Sequence, residues 1–370
     1  MSNMYDAIVI GSGPAGLSFA ISAARNGKKV LVLERNEKAA KKIYATGNGR
    51  CNFLNTNADH YEETLEFCKS IGIVPFEEEG RLYPRNREAR SVVLALENGA
   101  IKLGAEIKTD FTAESVQKTE QGFVVKSKSG EEVIGSSIAI TTGGKAGIQF
   151  GCYGDGYKFA ENFGHKVIKP IPALVGMEVE EDLNILLGTR VLAKASIYDN
   201  EKLLASDSGE VQFAKDSISG ICVMNLSRYV RRADDSKFTL HLDLYPEYSK
   251  EELFEVFMNQ KKLVGCAMEG LVPASIHEYL HTRISKENHN PAGMAELSKD
   301  LTFNVTGTRG WKDAQVTCGG VDLSELDGNF QSSKVDRLYF AGEVLNYDGP
   351  CGGYNIGFAI YSGMKAGNAI

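Results

Sequence analysis

The sequence predicts an α/β fold. A strand–helix–strand unit at the start of the chain is completed by a second strand and helix at its end, and a β-rich segment with a small helical piece is inserted between them. Three observations carry this. The stretch "DAIVIGSGPAGLSFAISAARNGKKVLVLER", Asp6 to Arg35, joins apolar runs through a glycine-patterned turn and an alanine-rich segment. The stretch "VDRLYFAGEVLNYDGPCGGYNIGFAIYSGMKAG", Val335 to Gly367, repeats the strand–turn–helix pattern. Between them, from Pro170 and Pro172 onward, the texture changes to short β-rich segments.

In the first unit, Ala7 to Ile10 reads as a buried strand. Leu17 to Arg25 reads as a packed helix stopped by Gly27, and Val30 to Leu33 as a second buried strand ending at Glu34. Gly11, Gly13 and Gly16 form G-x-G-x-x-G between the first strand and the helix. The first glycine allows the tight turn, the second lets the backbone approach a pyrophosphate, and the third lets helix and strand pack closely. The N–H groups at the helix N-terminus then face phosphates, and Glu34 stands where a carboxylate accepts hydrogen bonds from an adenosine ribose. This frame marks a Rossmann-like unit for the ADP half of a dinucleotide. It does not separate NAD from FAD.

The far end bears on that choice. Leu338 to Ala341 reads as a strand, followed at once by Gly342 and Glu343, a glycine-rich turn from Gly349 to Gly353, and a helix from Ile356 to Ala369. Another strand, Ile138 to Ile140, ends in Thr141, Thr142, Gly143 and Gly144. An extended dinucleotide such as FAD needs further strand ends for its ribityl and isoalloxazine parts. Glu343 is placed to bond the ribitol or pyrophosphate region. The helix starting near Asn355 is placed to aim its N-terminal dipole at the flavin pyrimidine, where negative charge develops on reduction. The plainer reading of Gly352 and Gly353 is a turn and nothing more.

In the middle, "VLAKASIYD", "KLLASDSGEVQFA" and "KFTLHLDLYP" read as strands of a small barrel or curved sheet, with a helix-like stretch "ISGICVMNLSRYVRR" among them. "KEELFEVFMNQKK" reads as a helix whose capping box is Ser249 and Glu252, and "VPASIHEYLHTRI" as a second helix with Pro273 near its start. The resulting division is a cofactor domain over 1–167 and 304–370, a β-rich domain over 168–248, and a helical insert over 249–303.

Composition sets limits. With 370 residues, 43% hydrophobic and 24% charged, the chain is an ordinary globular one with room for two or three domains. Net charge is −7 with no long basic run, which argues against a nucleic-acid partner. No apolar run reaches membrane-spanning length, so no membrane partner is expected, and "MSNMYDAIVIG" lacks the features of a signal peptide. Cysteines at 51, 68, 152, 222, 266, 318 and 351 show no C-x-x-C and no disulfide framework. Reduced thiols and a cytoplasmic location are expected. The sequence leaves the oligomeric state open.

A resemblance sharpens this. "GSGPAG", "TGNGRCNFLN", "GRLYP", "TTGG", "GDGYKFAENFGHKVIKPIPALVGMEV", "ISGICVMNLSR", "VTCGGV" and "LYFAGEVLNYDGPCGGYNIGFAIYSG" occur in this order over almost the full length. The chain thereby resembles the BaiN/RdsA family of flavoprotein oxidoreductases (aminoacetone-oxidase-like), with a glutathione-reductase-type FAD fold. The resemblance implies bound FAD and a barrel plus helical piece inserted into the FAD domain, of the kind that covers the flavin face and shapes a substrate pocket. Two departures stand out: Gly47, Asn48, Gly49 replaces the usual three glycines, and Cys318 stands where alanine is common. The implied cofactor-contacting set begins with Gly11, Ser12, Gly13, Pro14, Ala15, Gly16, Glu34, Arg35 and Lys42. It continues through the loop residues Thr46, Gly47, Gly49, Arg50 and Cys51, and through Ala113, Thr142, Gly143 and Gly144. It closes with Gly342, Glu343, Gly352, Gly353, Tyr354, Asn355 and Ile356.

A flavin carries its own hydride chemistry, so the protein's work is positioning and tuning. Cys51 is the obvious thiol, yet Thr56 occupies the place of a second cysteine in a C-x4-C pair, which excludes a local dithiol relay. Cys51 is then a single-thiol candidate or a flavin neighbour, with Cys351 also near the flavin. Tyr354 is the candidate proton donor; Tyr347 and Asp348 flank the same turn. Arg81, Arg85, Arg87 and Arg90 form a cationic cluster that either steers an anionic substrate or nicotinamide phosphates, or is solvated surface. Tyr83 faces the pocket or packs in the core. His165, His241, His277, His281 and His289 lack convincing partners. His277 and His281 share a helix face but show no third ligand, so no metal is expected.

The leading expectation is an FAD-dependent oxidoreductase that reduces an activated C=C or C=O of a small organic substrate, as bile-acid-reductase members of the family imply. With a single G-x-G-x-x-G, NAD(P)H is expected only as a transient donor at the flavin. Alternatives are an amine or alcohol oxidase using O2, an FAD-binding RNA-associated protein, and a non-catalytic sensor.

Overall fold

The computed structural model describes residues 4–230 and 236–370. Met1 to Asn3, part of the stretch read for a leader, and Arg231 and Arg232, at the end of the helix-like stretch, lie outside the described residues. The chain divides after Ile171 and again after Gln315, so that its two ends share one compact unit and its middle forms another.

The first unit starts with β1 (Tyr5–Ile10), α1 (Pro14–Arg25) and β2 (Val30–Leu33), a parallel crossover with Ala7 opposite Val30 and Ile10 opposite Leu33. Helix α1 begins three residues before the apolar pattern does, because Pro14 suits a first helical turn. All of β2 is buried, which explains an unbroken apolar run in place of alternation. Strand β1 feeds two cores. Ala7 and Val9 join Leu17 and Phe19 on one face; Ile8 and Ile10 join Ile138 and Phe340 on the other.

A small antiparallel sheet follows, made of β3 (Leu54–Asn55), β4 (Pro75–Glu78) and β5 (Arg81–Pro84), with α2 (Tyr61–Ser70) between its first two strands. Helix α3 (Ala89–Lys102) leads to β6 (Glu106–Lys108), which lies parallel beside β2. The hairpin β7 (Ala113–Thr119) and β8 (Gly122–Ser127) then feeds β9 (Glu132–Ile140). The start of β9 pairs with β8, and its length runs parallel to β1 up to Ile10 opposite Ile140. Helix α4 (Asp155–Asn162) and β10 (Val167–Ala173) carry the chain to the first crossing.

The second unit opens with β11 (Met177–Val179), β12 (Arg190–Asp199), β13 (Lys202–Phe213), β14 (Ser217–Ser219) and the short helix α5 (Ile221–Leu226). Then come β15 (Phe238–Asp243), α6 (Lys250–Val264), α7 (Ala274–Arg283), α8 (Pro291–Lys299) and β16 (Leu301–Thr308). The strands close a barrel in the order β11-β14-β13-β12-β15-β16. In β15, Phe238, Leu240 and Leu242 are buried and alternate with half-buried residues, as one inward-facing side requires. The capping box of α6 is present: the Ser249 side chain accepts from Glu252 N, and the Glu252 carboxylate accepts from Ser249 N.

This barrel corrects the domain boundary. The sequence ends the insert at 303, but β16 is the strand that closes the barrel between β11 and β15. The three helices are therefore an excursion within the barrel unit, between β15 and β16, and the chain returns to the first unit only at Val316.

There, β17 (Val316–Val321) pairs with β10, and β18 (Leu338–Phe340) lies parallel to β9, with Leu338 opposite Ile138 and Phe340 opposite Ile140. The parallel part of the sheet thus runs β6-β2-β1-β9-β18. Helix α9 (Tyr354–Asn368) packs on α1 through small residues. A Cβ on Gly363 would stand 2.0 Å from Ala15 O, and one on Gly367 2.3 Å from Phe19 O. The two helices approach at these points more closely than any side chain allows.

Candidate functional site

The C-terminal ends of β1, β2, β9 and β18 meet along one edge of the first unit, and connections cross there from both ends of the chain. In open α/β sheets a ligand crevice lies at this edge, where the strand order reverses. The three glycines after β1 do three different jobs. Gly11 has φ +106°, and a Cβ there would stand 2.5 Å from Thr141 O. A Cβ on Gly16 would stand 1.9 Å from Gly11 O, so this glycine lets α1 close onto the turn. A Cβ on Gly13 would meet nothing within 4 Å. Gly13 is also the N-cap of α1 and gives it no side-chain cap, so the first-turn N–H groups are left for an anion.

Glu34, buried at the end of β2, braces this turn. Its Oε2 accepts from Ser12 N at 3.1 Å and Ser12 Oγ at 2.5 Å; its Oε1 accepts from Asn36 N and Nδ2, both at 2.8 Å. Beside it, Arg35 pairs with Asp155 at 2.5 Å, at the start of α4. Pro14 opens α1, and Ala15 is buried in a small cluster with Ala341 and Ala359.

The far end of the chain joins the same edge. Gly342 follows β18 with φ +78°, and a Cβ there would stand 2.8 Å from the Ala15 Cβ. Next to it, Glu343 Oε2 pairs with Lys42 Nζ at 2.8 Å, and Glu343 Oε1 accepts from Thr317 N at 2.9 Å. Burial works to lower the Lys42 pKa, but Glu343, with a smaller contribution from Cys152, outweighs it and holds the ammonium above its ordinary value. The Thr317 hydroxyl accepts from Lys145 N at 2.8 Å and Ala146 N at 3.0 Å. A Cβ on Gly144 would strike that hydroxyl at 2.3 Å. Thr317 and Cys152 were not singled out from the sequence. The signal for Thr317 was its place in the apolar run before Gly319; Cys152 sits in a loop with no pattern. Burial raises the Cys152 thiol, with Lys42, Glu343, Glu34 and Arg35 as its charged neighbours.

Thr142 and Gly143 follow β9 at this edge. Gly143 has φ +71° with nothing within 4 Å of a Cβ, a second open face on the crevice. Ala113 lies at the start of β7, buried in the core with Leu31 and Phe111.

The loop from Thr46 to Asn55 is shaped by backbone demands. Gly47, Asn48 and Gly49 have φ of 56°, 53° and 82°, a left-handed run that explains why asparagine can stand in for the middle glycine. Thr46 Oγ1 donates to Ile43 O at 2.7 Å, and Thr46 O accepts from Cys51 N at 3.1 Å. The loop backs onto the C-terminal turn. Asn55 Nδ2 donates to Gly352 O at 2.7 Å, and a Cβ on Gly353 would stand 2.5 Å from both the Asn52 side-chain amide and Leu54 O. Asn355 ties the turn to itself, accepting from Gly349 N at 2.8 Å and donating to Gly349 O at 2.9 Å. Tyr354 and Ile356, half-buried, rest against the core at the start of α9.

The structure places the remaining candidates as follows. Cys51 is 0% exposed and packs among Phe53, Leu54 and Cys68. Burial pushes its thiol up to about 12, against a small lowering by Thr46. Buried, with its thiol raised, Cys51 offers no exposed surface as the chain stands. Arg50, exposed, lies over the Tyr83 ring at 5.4 Å and donates to its own loop at Gly47 O. The arginine cluster also divides. Arg85 and Arg87 lie over Phe76, and Arg87 pairs with Glu78 at 2.9 Å. Only Arg81 stands beside Gly352, with Nε 3.5 Å from a Cβ built there. Tyr83 itself is 5% exposed and belongs to the buried interior. His165 and His241 have partners after all: His165 bonds Glu325 and Ser332, and His241 bonds Thr239 and Asp300.

The residues fit FAD. An uncapped helix start, two open glycine faces, a carboxylate at the end of β2 and an acid–lysine pair at the end of β18 lie along one edge. A long dinucleotide needs contacts spread in this way.

Comparison with known proteins agrees. The sequence profile described as "HI0933-like protein Rossmann domain" matches residues 5–71 and 59–369. The chain is 31% identical to the 3-dehydro-bile acid delta(4,6)-reductase of Clostridium scindens, over 98% of each chain. It is 28% identical to the ribosomal RNA dihydrouridine synthase of Escherichia coli, over 96% of this chain and 95% of that one. Among solved structures, 3-ketosteroid-delta4-(5alpha)-dehydrogenase from Rhodococcus jostii aligns with a TM-score of 0.54 at 14% identity, over 100% and 97% of the two chains. A flavocytochrome c3 fumarate reductase aligns at 0.56 and 13%, over 99% and 78%. Those last two likenesses speak for the fold. On the profile match and the full-length relatives, the chain belongs to the HI0933-like (BaiN/RdsA) family of FAD-dependent oxidoreductases.

Proposed function

We propose that this protein saturates an activated carbon–carbon double bond, one conjugated to a carbonyl, in a small organic substrate. The observation that carries the reading is the full-length likeness to a reductase of 3-dehydro-bile acids, on a chain whose cofactor edge is intact. Bound FAD would supply hydride from its N5. This chain's own residues do the rest. The α1 N-terminus and Gly13 would hold the pyrophosphate, Glu34 the adenosine ribose, and Glu343 with Lys42 the ribityl region. The N-terminus of α9, whose N-cap Gly353 offers no side chain, would stabilise negative charge on the flavin pyrimidine. Tyr354, the first residue of α9, is the proposed proton donor to the substrate α-carbon. NAD(P)H is proposed as the reductant, docking transiently. An activated carbonyl remains a second acceptor of the same hydride.

A second reading has its own support in the likeness to ribosomal RNA dihydrouridine synthases. Those names also denote hydrogenation of a C=C bond beside a carbonyl, on a very different scaffold. The net charge of −7 favours the small substrate, since RNA binding draws on a basic face.

Anaerobic stopped-flow mixing tests both. NADH or NADPH should bleach the flavin, and a 3-keto-4-ene steroid acid should restore its colour. Restoration by unmodified ribosomal RNA alone would favour the second reading. Bleaching by an amine or alcohol, but by neither nicotinamide, would overturn the reductase reading in favour of an O2-using oxidase.

A further inference from the structure

The helical excursion of the barrel unit brings together side chains that stand far from one another in chemistry-free sequence. His277 and His281 sit one turn apart on α7, which puts them on one face. Their Nε2 atoms lie 2.7 Å apart. Cys266 Sγ lies 3.8 Å from His277 Nε2. His289 Nε2 lies 2.5 Å from His281 Nδ1. The sequence shows only the i, i+4 histidines. The fold adds the cysteine from the turn after α6 and a third imidazole from just before α8.

Each member is held by backbone structure independent of the cluster. Gly265 ends α6 with φ 79°, and Cys266 follows it directly. The turn beyond is pinned by Met268, 1% exposed, and by Gln260 Nε2, which donates to Glu269 O at 2.6 Å. His289 precedes Asn290, whose side chain accepts from Ala292 N and Gly293 N at 3.0 and 3.1 Å and so fixes the start of α8. Three helix ends thus converge on one spot of the excursion.

Each close pair of ring nitrogens shares one proton. Two Nε2 atoms at 2.7 Å can bond only if one carries a proton and the other does not. A cation that accepts both Nε2 lone pairs would take the place of that shared proton. The His281 Nδ1–H then donates to His289 Nε2, the outer bond that orients a metal-bound imidazole.

We propose that Cys266, His277 and His281 bind a borderline-soft d-block cation of the Zn²⁺ kind, with His289 as the orienting partner of His281. Tetrahedral Zn²⁺ with bonds of about 2.0–2.1 Å to nitrogen and about 2.3 Å to sulfur sets its N···N pairs about 3.3 Å apart and its S···N pairs about 3.6 Å apart. The sulfur spacing is already close to this. The nitrogens stand too close, and as the side chains are placed no group of three among the described residues could hold a metal ion. His281 is exposed and His277 half-buried, so a modest turn of either ring supplies the difference. A thiolate with two imidazoles selects zinc or its soft neighbours over Mg²⁺ or Ca²⁺, which prefer oxygen. Solvent fills the fourth position.

The test uses tag-free, FAD-loaded full-length protein, stripped with chelator and titrated with Zn²⁺. Calorimetry should show one equivalent bound, and zinc X-ray absorption should show one sulfur with nitrogen neighbours. Cys266→Ser should remove the sulfur signal and weaken binding at least tenfold, and His281→Ala likewise should weaken it at least tenfold. His289→Gln, which keeps a hydrogen-bonding side chain, should cost less than His289→Ala, whose loss is about 10–100-fold. Flavin content and circular dichroism confirm that each variant is folded; Cys266→Ser is the mildest change and remains decisive if a histidine variant misfolds. Absence of saturable binding, a zinc spectrum without sulfur, or equal affinity in Cys266→Ser would overturn the proposal. Because the readout is metal binding, it is independent of the substrate and donor proposed above.

Discussion

Single residues carry the sharpest lessons. The cysteine in "TGNGRCNFLN" has the look of a redox thiol, but Thr56 removes a dithiol partner and burial weighs against a lone thiol. Cys51→Ser should leave turnover and flavin content essentially unchanged, at a stability cost of about 1 kcal/mol for a hydroxyl in an apolar site. Loss of turnover with FAD still bound would restore the thiol to the mechanism. His165 gives a pH dependence. Burial lowers its pKa first, Lys334 adds to that, and Glu325 opposes. A histidine with a depressed folded-state pKa contributes fully above its unfolded value of about 6.5, and that contribution is lost as pH falls through the folded value. The urea midpoint should therefore drop on acidification below about pH 6.5. His165→Gln should flatten the drop; an unchanged slope in that variant would assign it elsewhere. Residues of this kind explain the limits of the sequence. Glycines at 11 and 16 were legible because each meets a backbone demand that only glycine satisfies, and Gly13 because a helix start without a side-chain cap suits an anion. Arg81 and Arg87 were not separable, because their partners, the Gly352 turn and Phe76, come from pairings no local pattern encodes.

At the level of elements, the contact between α1 and α9 is the joint that holds the two ends of the chain together. Gly363→Ala is a discriminating probe. In an isolated helix, alanine gains about 0.8–1 kcal/mol over glycine. Here its Cβ meets Ala15 O at 2.0 Å, and overpacking of a tight contact costs about 1–3 kcal/mol. The clash should win: thermal stability should fall, and FAD release should quicken, since Ala15 lies in the turn that faces the pyrophosphate. A stabilised protein would mean that α9 moves aside freely. Strand β16 was the element least legible. "LTFNVTGT" alternates weakly, and it comes after three helices, so nothing nearby in sequence marks it as the partner of β11 and β15. The capping box of α6 was legible for the opposite reason, since both its bonds lie within four residues.

For the whole molecule, the two crossings between units are the informative feature. β10 and β17 are paired, with Asp322 N bonded to Lys166 O and, beyond the crossing, Gln315 N bonded to Leu174 O. The chain therefore leaves and returns at neighbouring points. Replacing 172–315 with a short glycine–serine linker should give a folded first unit that keeps FAD and its visible spectrum. Reduction of any organic acceptor should be lost with the barrel. An excised protein without flavin would show that the first unit depends on the second to fold.

The pairing of β18 with β9 has a consequence for how the protein is made. Ile140 leaves the ribosome long before its partner Phe340, and the whole barrel is synthesised in between. During translation the first unit waits with one side of β9 unpaired, while the barrel, contiguous in the chain, can close by itself. Contacts of such long sequence separation form late. Cofactor loading is then a post-translational event, and nascent chains stalled before Leu338 should bury a finished barrel yet hold no flavin.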